Sequence, residues 1–183
     1  MRGYDEKLWQ QCMDFHGHSC PGLAIGFQVS CLMQRKFDVN FSPDEELVCV
    51  HENDACGVDA VQQITGCTAG KGNLIYRPTA KQAFSFFERN TGQKARFVLE
   101  KPDDLPGERE EITGRLLSMD PEDLFVEKTP HYLLPAQAEI FDTIECEQCG
   151  EGAAEYAIRL QEGKKTCLDC FEGYSRRLDQ DIL

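Results

Sequence analysis

Two pairs of cysteines near the end of the chain constrain its fold more than any other feature. Each pair has the spacing C-x2-C, and the segment between the pairs is long enough for a β-hairpin with turns at Glu151-Gly152 and Glu162-Gly163. Four thiolates at this spacing surround one tetrahedral ion and leave no open coordination position. The sequence therefore predicts a structural zinc site formed by Cys146, Cys149, Cys167 and Cys170. The alternative is two redox-active dithiols, but two pairs at zinc-finger spacing favour the metal.

The overall charge argues against a nucleic-acid partner. The chain has 19 Lys and Arg against 32 Asp and Glu, a formal net charge of −13 and a pI near 4.7. Such a field repels phosphate backbones. Acidic and basic residues are also mixed around the C-terminal cysteines, which favours a protein-facing or dimer-stabilising role for that module.

The cysteines also bear on the compartment. The chain has ten of them, and its first residues carry charges of both signs without the apolar core of a signal peptide. No run approaches the ~20 apolar residues of a membrane span. We therefore expect a soluble, cytoplasmic protein without a membrane partner, in which cysteines serve as ligands or catalysts rather than in disulfides.

A second group of metal-competent side chains lies near the start of the chain. The stretch Phe15-His16-Gly17-His18-Ser19-Cys20-Pro21-Gly22 places two imidazoles and a thiol within five residues, ahead of an apolar helical run. Packing of a core does not require such a concentration of soft ligands, whereas a chemical site does. We expect the working end of the molecule here.

The hydrophobic pattern predicts an α+β fold. Helical spacing extends over residues 5–15, 21–37, 56–65, 108–119 and 121–125. Apolar and β-branched runs predict strands at residues 47–50, 74–77, 83–87, 95–99 and 125–127. Prolines near residues 128–140 mark a boundary, so we expect one α+β domain over residues 1–135 and a small four-cysteine zinc-ribbon or zinc-finger module over residues 136–183.

Helix geometry limits which side chains can share an N-terminal metal. Cys56 and Cys67 flank a helix of roughly eleven residues, and its ends lie ~15 Å apart at ~1.5 Å rise per residue. His18 and Cys20 alternate on an extended turn and can face one pocket. The expected ligands are drawn from His18, Cys20, Cys56 and Cys67, at most three on one transition-metal ion whose identity stays open. His18 and Cys56 are preferred, and His16 is assigned a supporting role.

Three residues near this site are candidates for catalysis. Cys56 is one, and Asp59, on the same helical face, could orient a ligand or act as a general base, or be an ordinary first-turn acid. Lys71, in Gly70-Lys71-Gly72, could pair with an anionic substrate, although the segment lacks P-loop spacing. His51 and His131 are isolated and are assigned surface or capping roles.

Three separated motifs together resemble the FmdE family of formylmethanofuran dehydrogenase subunits over roughly residues 8–130. They are Phe15-His16-Gly17-His18-Ser19-Cys20-Pro21-Gly22, Cys56-Gly57-Val58-Asp59-Ala60-Val61-Gln62 and Thr65-Gly66-Cys67-Thr68-Ala69-Gly70-Lys71-Gly72-Asn73-Leu74. The resemblance implies helices packed on a mixed sheet, a homodimer, and a metal-binding or active-site pocket lined by these motifs. Some members carry a zinc-finger extension like the C-terminal module.

Three functions are compatible with these features. Family members are associated with molybdenum- or tungsten-dependent formylmethanofuran dehydrogenase, so the first is a metal-dependent enzyme or an accessory subunit of a larger redox complex. The chain has no sign of the large subunits' cofactor machinery, so the second is a non-catalytic protein that binds or senses a transition metal. The third is a zinc-finger adaptor.

Overall fold

The computed structural model describes residues 4–100, 105–134 and 136–174. The chain forms two compact units, Met1–Ala138 and Glu139–Leu183. Pro135, the last residue of the expected first domain, lies outside the described residues.

Short helices and strands alternate irregularly along the first unit. Its helices are α1 (Glu6–His16), α2 (Pro21–Phe37), α3 (Gly57–Thr65), α4 (Arg109–Ser118) and α5 (Pro121–Leu124). Its strands are β1 (Leu47–His51), β2 (Leu74–Tyr76), β3 (Ala83–Glu88), β4 (Lys94–Leu99) and β5 (Phe125–Lys128).

Capping residues set the turn between α1 and α2. The Asp5 carboxylate accepts a hydrogen bond from the Leu8 N–H and starts α1. Gly17 ends α1 in the left-handed conformation, at φ 93°. The chain then runs to Cys20, whose extended backbone and sulfur cap α2, and Pro21 occupies the first helical position. The His-rich stretch is thus held between two helix ends.

The five strands form a mixed sheet in the order β2-β1-β3-β4-β5. β1 pairs with β2 in parallel, and the other neighbours pair antiparallel. All five residues of β1 are buried because the strand has a partner on each side. The α+β fold with a mixed sheet is therefore confirmed.

The apolar core lies between the helices and one face of the sheet. Leu23, Phe27 and Leu32 of α2 are at most 1% exposed and pack in one cluster with Phe86 and Phe97 of the sheet. Burial of several large side chains, each worth about 1.5–3 kcal/mol, holds α2 against the sheet. Helix α2 is consequently a rigid support for the residues at its N-terminus.

A buried ion pair holds the loop that follows β1. Glu52 is fully buried, and its carboxylate accepts hydrogen bonds from Arg96 Nε at 2.6 Å and from Arg96 Nη2 at 3.1 Å. The Thr79 hydroxyl donates to the same carboxylate at 2.7 Å. A buried carboxylate with these partners is costly to displace. The pair therefore fixes where the chain leaves the sheet towards α3.

The second unit consists of two short hairpins. They are formed by β6 (Thr143–Glu145) with β7 (Gly152–Ala154), and by β8 (Arg159–Gln161) with β9 (Lys164–Thr166). Glu162 and Gly163 both have positive φ and form the expected turn. The expected turn at Glu151-Gly152 is wrong, because Gly152 already belongs to β7 and Gly150, at φ 77°, is the turn residue. No helix in the described ranges has the length and hydropathy needed to span a bilayer.

Candidate metal centre

His16, Cys20 and Cys56 converge on one point of the first unit. One potential ligand atom of each lies within 4.8 Å of those of the other two. His16 is the last residue of α1, Cys20 caps α2, and Cys56 immediately precedes α3. Three helix ends thus present an imidazole and two thiols to one volume, which is large enough for a metal ion.

Glycines allow the two thiols to approach each other. A Cβ on Gly26 of α2 would overlap the Gly57 carbonyl oxygen, and a Cβ on Gly57 would lie 3.0 Å from the Gly22 carbonyl oxygen. A Cβ on Gly22 would lie 3.2 Å from the Cys56 Cβ. Any side chain at Gly26 would therefore push α3 away from α2. The backbones pack closely here, and the helix N-termini with Cys20 and Cys56 are brought side by side.

Asp59 sets the orientation and tautomer of His16. The His16 Nδ1–H donates to the Asp59 Oδ2 at 2.7 Å, from a side chain that is 11% exposed. The proton on Nδ1 leaves the Nε2 lone pair free, and Nε2 lies 3.8 Å from the Cys20 sulfur. A carboxylate that holds the distal nitrogen of a histidine is the usual support for a metal-binding imidazole. Asp59 therefore directs Nε2 at the two sulfurs.

The two thiols are held near each other in a partly dehydrated place. The Leu23 N–H donates to the Cys20 sulfur at 3.3 Å, which fixes that sulfur at the start of α2. Burial raises the pKa of Cys56, and the neighbouring Cys20 thiol adds to the effect. Two thiolates side by side repel each other unless a cation lies between them. A metal ion would supply that cation.

The donor set indicates the kind of ion that would fit. One imidazole nitrogen and two sulfurs suit zinc and other first-row transition metals with an affinity for soft ligands. Three protein ligands leave at least one coordination position open, which is the arrangement of catalytic rather than structural zinc sites. The residues present therefore fit a reactive or exchangeable metal.

A cavity of about 360 Å³ adjoins the three ligands. Its volume is within the usual size range for a small-molecule site. Its lining residues are His16, His51, Asp54, Ala55, Cys56, Val58 and Asp59. An exogenous ligand at the open coordination position would occupy this space.

Some of the residues expected at the site lie elsewhere. His18 is exposed, with its ring 4.5 Å from that of His16, and does not belong to the three-ligand group. The Cys67 sulfur donates to the Leu47 carbonyl at 3.4 Å, and burial raises the pKa of this thiol to about 11. The Lys71 ammonium donates to the Ser42 carbonyl at 2.8 Å and lies over the Phe41 ring, outside the cavity lining.

Two site residues were given lesser roles by sequence reasoning. His16 follows Trp9 and Cys12, the two buried residues of α1, at spacings of seven and four, so it shares their inward face. That spacing could have distinguished it from His18, which lies beyond the helix cap. His51 is not on the surface as expected, because it ends the buried strand β1 and is 8% exposed.

The second metal-competent group consists of Cys146, Cys149, Cys167 and Cys170, whose sulfurs all lie within 4.8 Å of one another. The first pair lies in the loop between β6 and β7, and the second follows β9. The Glu147 N–H donates to the Lys165 carbonyl at 2.8 Å and ties the hairpins together. This cluster fits a zinc module, as expected from the sequence.

Hydrogen bonds prepare the cysteine cluster for a cation. Backbone N–H groups of Cys149 and Cys167 lower the pKa of Cys146 to about 6. A hydrogen bond to Cys167 and burial raise the pKa of Cys170 to about 12. The first thiolate is therefore stabilised by the backbone, whereas further thiolates need a positive charge among the sulfurs.

Residues 15–127 match a family model described as "FmdE, Molybdenum formylmethanofuran dehydrogenase operon". The match covers the three-ligand group and the whole cavity lining, and it ends before the cysteine cluster.

Two individual proteins are similar to the chain over most of its length. One is an Archaeoglobus fulgidus protein named "Probable S-adenosyl-L-methionine-binding protein", 29% identical over 199 aligned positions that cover 92% of this chain and 53% of the relative. The chain thus spans about half the length of that relative. The other is the crystal structure of an FmdE-like protein of tungsten formylmethanofuran dehydrogenase from Syntrophus aciditrophicus. It superimposes with a TM-score of 0.69 at 24% identity over 93% of this chain and 96% of that one, which shows a shared fold.

Proposed function

The chain belongs to the FmdE family, and on this basis we propose that it is a two-site metalloprotein that works as a metal-dependent enzyme or as an accessory subunit related to formylmethanofuran dehydrogenase. Its C-terminal cysteines hold a structural zinc ion. Its N-terminal unit holds a second transition-metal ion at an open site. The observation that carries the proposal is the convergence of His16, Cys20 and Cys56 beside a cavity.

In this proposal the residues of the open site have separate tasks. His16 Nε2 and the sulfurs of Cys20 and Cys56 hold the ion, while Asp59 positions His16 through the 2.7 Å hydrogen bond. The ion supplies Lewis-acid chemistry when bound. Support comes from the cavity, because a purely structural ion would be enclosed by four protein ligands and would not need one.

Metal content of the full chain tests the two-site proposal. We expect about two equivalents of metal per chain after purification without added metal. Cys56→Ser, which is nearly isosteric, is expected to lose one equivalent, and Cys146→Ser is expected to lose the other. Cys31→Ser is the matched control, since this half-buried cysteine belongs to neither group and should leave both equivalents in place. Unchanged metal content in Cys56→Ser would refute the open site.

Metal exchange separates an enzyme or subunit from a non-catalytic metal carrier or sensor. We expect the N-terminal ion to stay bound through gel filtration, as a resident cofactor does. Rapid exchange with a competing chelator at high affinity would favour the carrier or sensor. The carboxylate support of His16 favours a resident ion, because such supports usually add 10–100-fold, or about 1.4–2.7 kcal/mol, to metal affinity.

We also propose that the chain self-associates and that it binds the large subunits of a formylmethanofuran dehydrogenase. Both ideas rest on family membership. Light scattering coupled to gel filtration is expected to give twice the mass of one chain. Co-purification with the other products of the same operon would identify a subunit, whereas a free dimer in extracts would favour an independent enzyme.

The relative from Archaeoglobus fulgidus suggests one ligand to test first. Its name assigns it to S-adenosyl-L-methionine binding, and this chain aligns with it over 92% of its own length. We propose S-adenosyl-L-methionine as a trial ligand of the metal-loaded protein. Calorimetric titration should show saturable binding that Cys56→Ser weakens if the ligand occupies the cavity, and no heat of binding would remove this ligand from consideration.

A further inference from the structure

The cavity beside the three metal ligands has an unusual lining for a site near a cation. It includes two carboxylates, Asp54 and Asp59, and none of its seven residues is a lysine or an arginine, within the part of the chain that the structure describes. Asp59 is occupied with His16. Asp54 is exposed and therefore available to a ligand.

His51 adds a second hydrogen-bond acceptor to this lining. Its Nδ1–H donates to the Asn53 carbonyl oxygen at 2.6 Å, because a carbonyl oxygen can only accept. Its ring is stacked on Tyr76, with a centroid distance of 5.1 Å and an interplanar angle of 20°. In the neutral ring the remaining nitrogen, Nε2, is an acceptor, and it has no hydrogen bond to any other described residue. The ring is thus fixed by its neighbours with its acceptor nitrogen unused.

A count of formal charges shows which ligands the site favours. A divalent ion and the two thiolates of Cys20 and Cys56 cancel. Asp54 and Asp59 then add two negative charges, against about +0.5 from each of the N-termini of α2 and α3. The helix ends therefore do not outweigh the carboxylates, and the loaded site keeps a net charge of about −1 with His51 neutral.

We propose that the open metal site takes a small neutral or cationic ligand carrying N–H or O–H donors, such as an amine or an azole, and that it discriminates against carboxylates and other anions. This inference rests on the proposed function and names the substrate class of the same site. The donors of such a ligand would pair with Asp54 and His51, while a metal-binding atom completes the coordination sphere.

Cobalt(II) substitution of the full chain provides the test, because the visible bands of cobalt change when a new ligand binds. The closed four-cysteine site does not admit external ligands, so ligand-dependent changes that Cys56→Ser abolishes report the open site. The probes at pH 8 are imidazole, N-methylimidazole, azide and formate. N-Methylimidazole keeps the metal-binding nitrogen of imidazole but has no N–H donor.

We expect imidazole to bind about five-fold more tightly than N-methylimidazole, as one lost hydrogen bond predicts. Azide and formate should bind more weakly than either azole. Asp54→Asn should strengthen azide binding about five-fold by removing one nearby negative charge. Asp123→Asn, which removes an exposed carboxylate outside the cavity lining, should leave azide binding unchanged.

Either of two results would overturn the inference while the proposed function stands. One is azide or formate binding as tightly as imidazole, and the other is an Asp54→Asn variant with the same anion affinity as the parent. Absence of any cobalt absorption that depends on Cys56 would instead overturn the proposed function itself, and this inference with it.

Discussion

The two metal-competent groups of this chain differ in what holds their ligands in place. His16, Cys20 and Cys56 are attached to helices that pack on a large apolar core, including Leu23 and Phe27. In the second unit only Cys146, Thr166 and Cys167 are buried among the described residues, and two of these are ligands. The first group is therefore supported by a fold, whereas the second group replaces a core.

This difference has a thermodynamic meaning. A unit of about 45 residues cannot bury enough apolar surface to offset its chain entropy, so metal binding must supply its folding free energy. The first unit buries its core with or without an ion, and the geometry of the site is prepared before the metal arrives. Metal removal should thus unfold one unit and leave the other intact.

The largest expected effect is the loss of the second unit on removing its metal. Structural zinc binding is worth about 10–16 kcal/mol in small zinc modules, far more than such a unit could recover by packing. We expect Cys146→Ser to unfold residues 139–174, seen as collapse of their amide dispersion in NMR spectra, with the signals of the first unit unchanged. Cys56→Ser, which loses the other metal, should leave both sets of signals dispersed. A folded second unit in Cys146→Ser would break the comparison.

The next effect concerns the fold that supports the three-ligand site. Gly26→Ala would drive a methyl group into the Gly57 carbonyl and push α3 from α2. Overpacking of this kind costs about 1–3 kcal/mol, and it would also separate Cys20 from Cys56. We expect a lower free energy of unfolding in denaturant titrations together with weaker N-terminal metal binding.

Gly114→Ala is the matched control for that substitution. Gly114 is exposed in α4, and a Cβ there meets nothing within 4 Å. Removing a helical glycine should stabilise the protein by about 0.5–1 kcal/mol without altering metal affinity. If Gly26→Ala behaved like Gly114→Ala, close packing of α2 on α3 would not be what brings the thiols together.

A smaller effect is expected from the carboxylate that orients His16. Asp59→Asn keeps the size of the side chain but removes the charge that holds the Nδ1 proton, and loss of such support costs about 10–100-fold in metal affinity. Competition with a chromophoric chelator measures the change, and thermal unfolding of the metal-free protein should hardly move.

The paired histidines give the control for this prediction. His16→Ala should abolish N-terminal metal binding, while His18→Ala should leave it within about two-fold, because the exposed His18 is outside the ligand group. The opposite result would assign the ion to His18 and would require the site to rearrange around it.

Local patterns were sufficient to predict much of the fold. Pro21 with the apolar run behind it predicts α2, and Asn90-Thr91-Gly92 predicts the hairpin between β3 and β4. The C-x2-C spacing predicts the second metal group because both ligands of each pair are local in the sequence. These signals depend on neighbours a few residues apart, which a single sequence displays directly.

The parts that could not be predicted depend on distant contacts. The choice between His16 and His18 is decided by Asp59, 43 residues away, and by the face that α1 turns towards α3. His51 is drawn into the cavity because β1 has neighbours on both sides. Neither pairing leaves a mark on the local pattern, so spacing alone favoured the more accessible His18.

The smallest effect gives the finest comparison of the two groups. Gly163 and Gly92 are both hairpin glycines with positive φ, at 81° and 74°, and a Cβ at either meets nothing within 4 Å. An alanine at each therefore introduces about 1–2 kcal/mol of backbone strain and little else. In the second unit folding and metal binding are one equilibrium, so Gly163→Ala should weaken zinc binding about five- to thirty-fold. Gly92→Ala should lower the free energy of unfolding of the first unit by the same amount and leave its metal affinity unchanged, since its folded state is populated without the ion. Equal losses of metal affinity in both variants would mean that the first unit, too, requires its metal to fold.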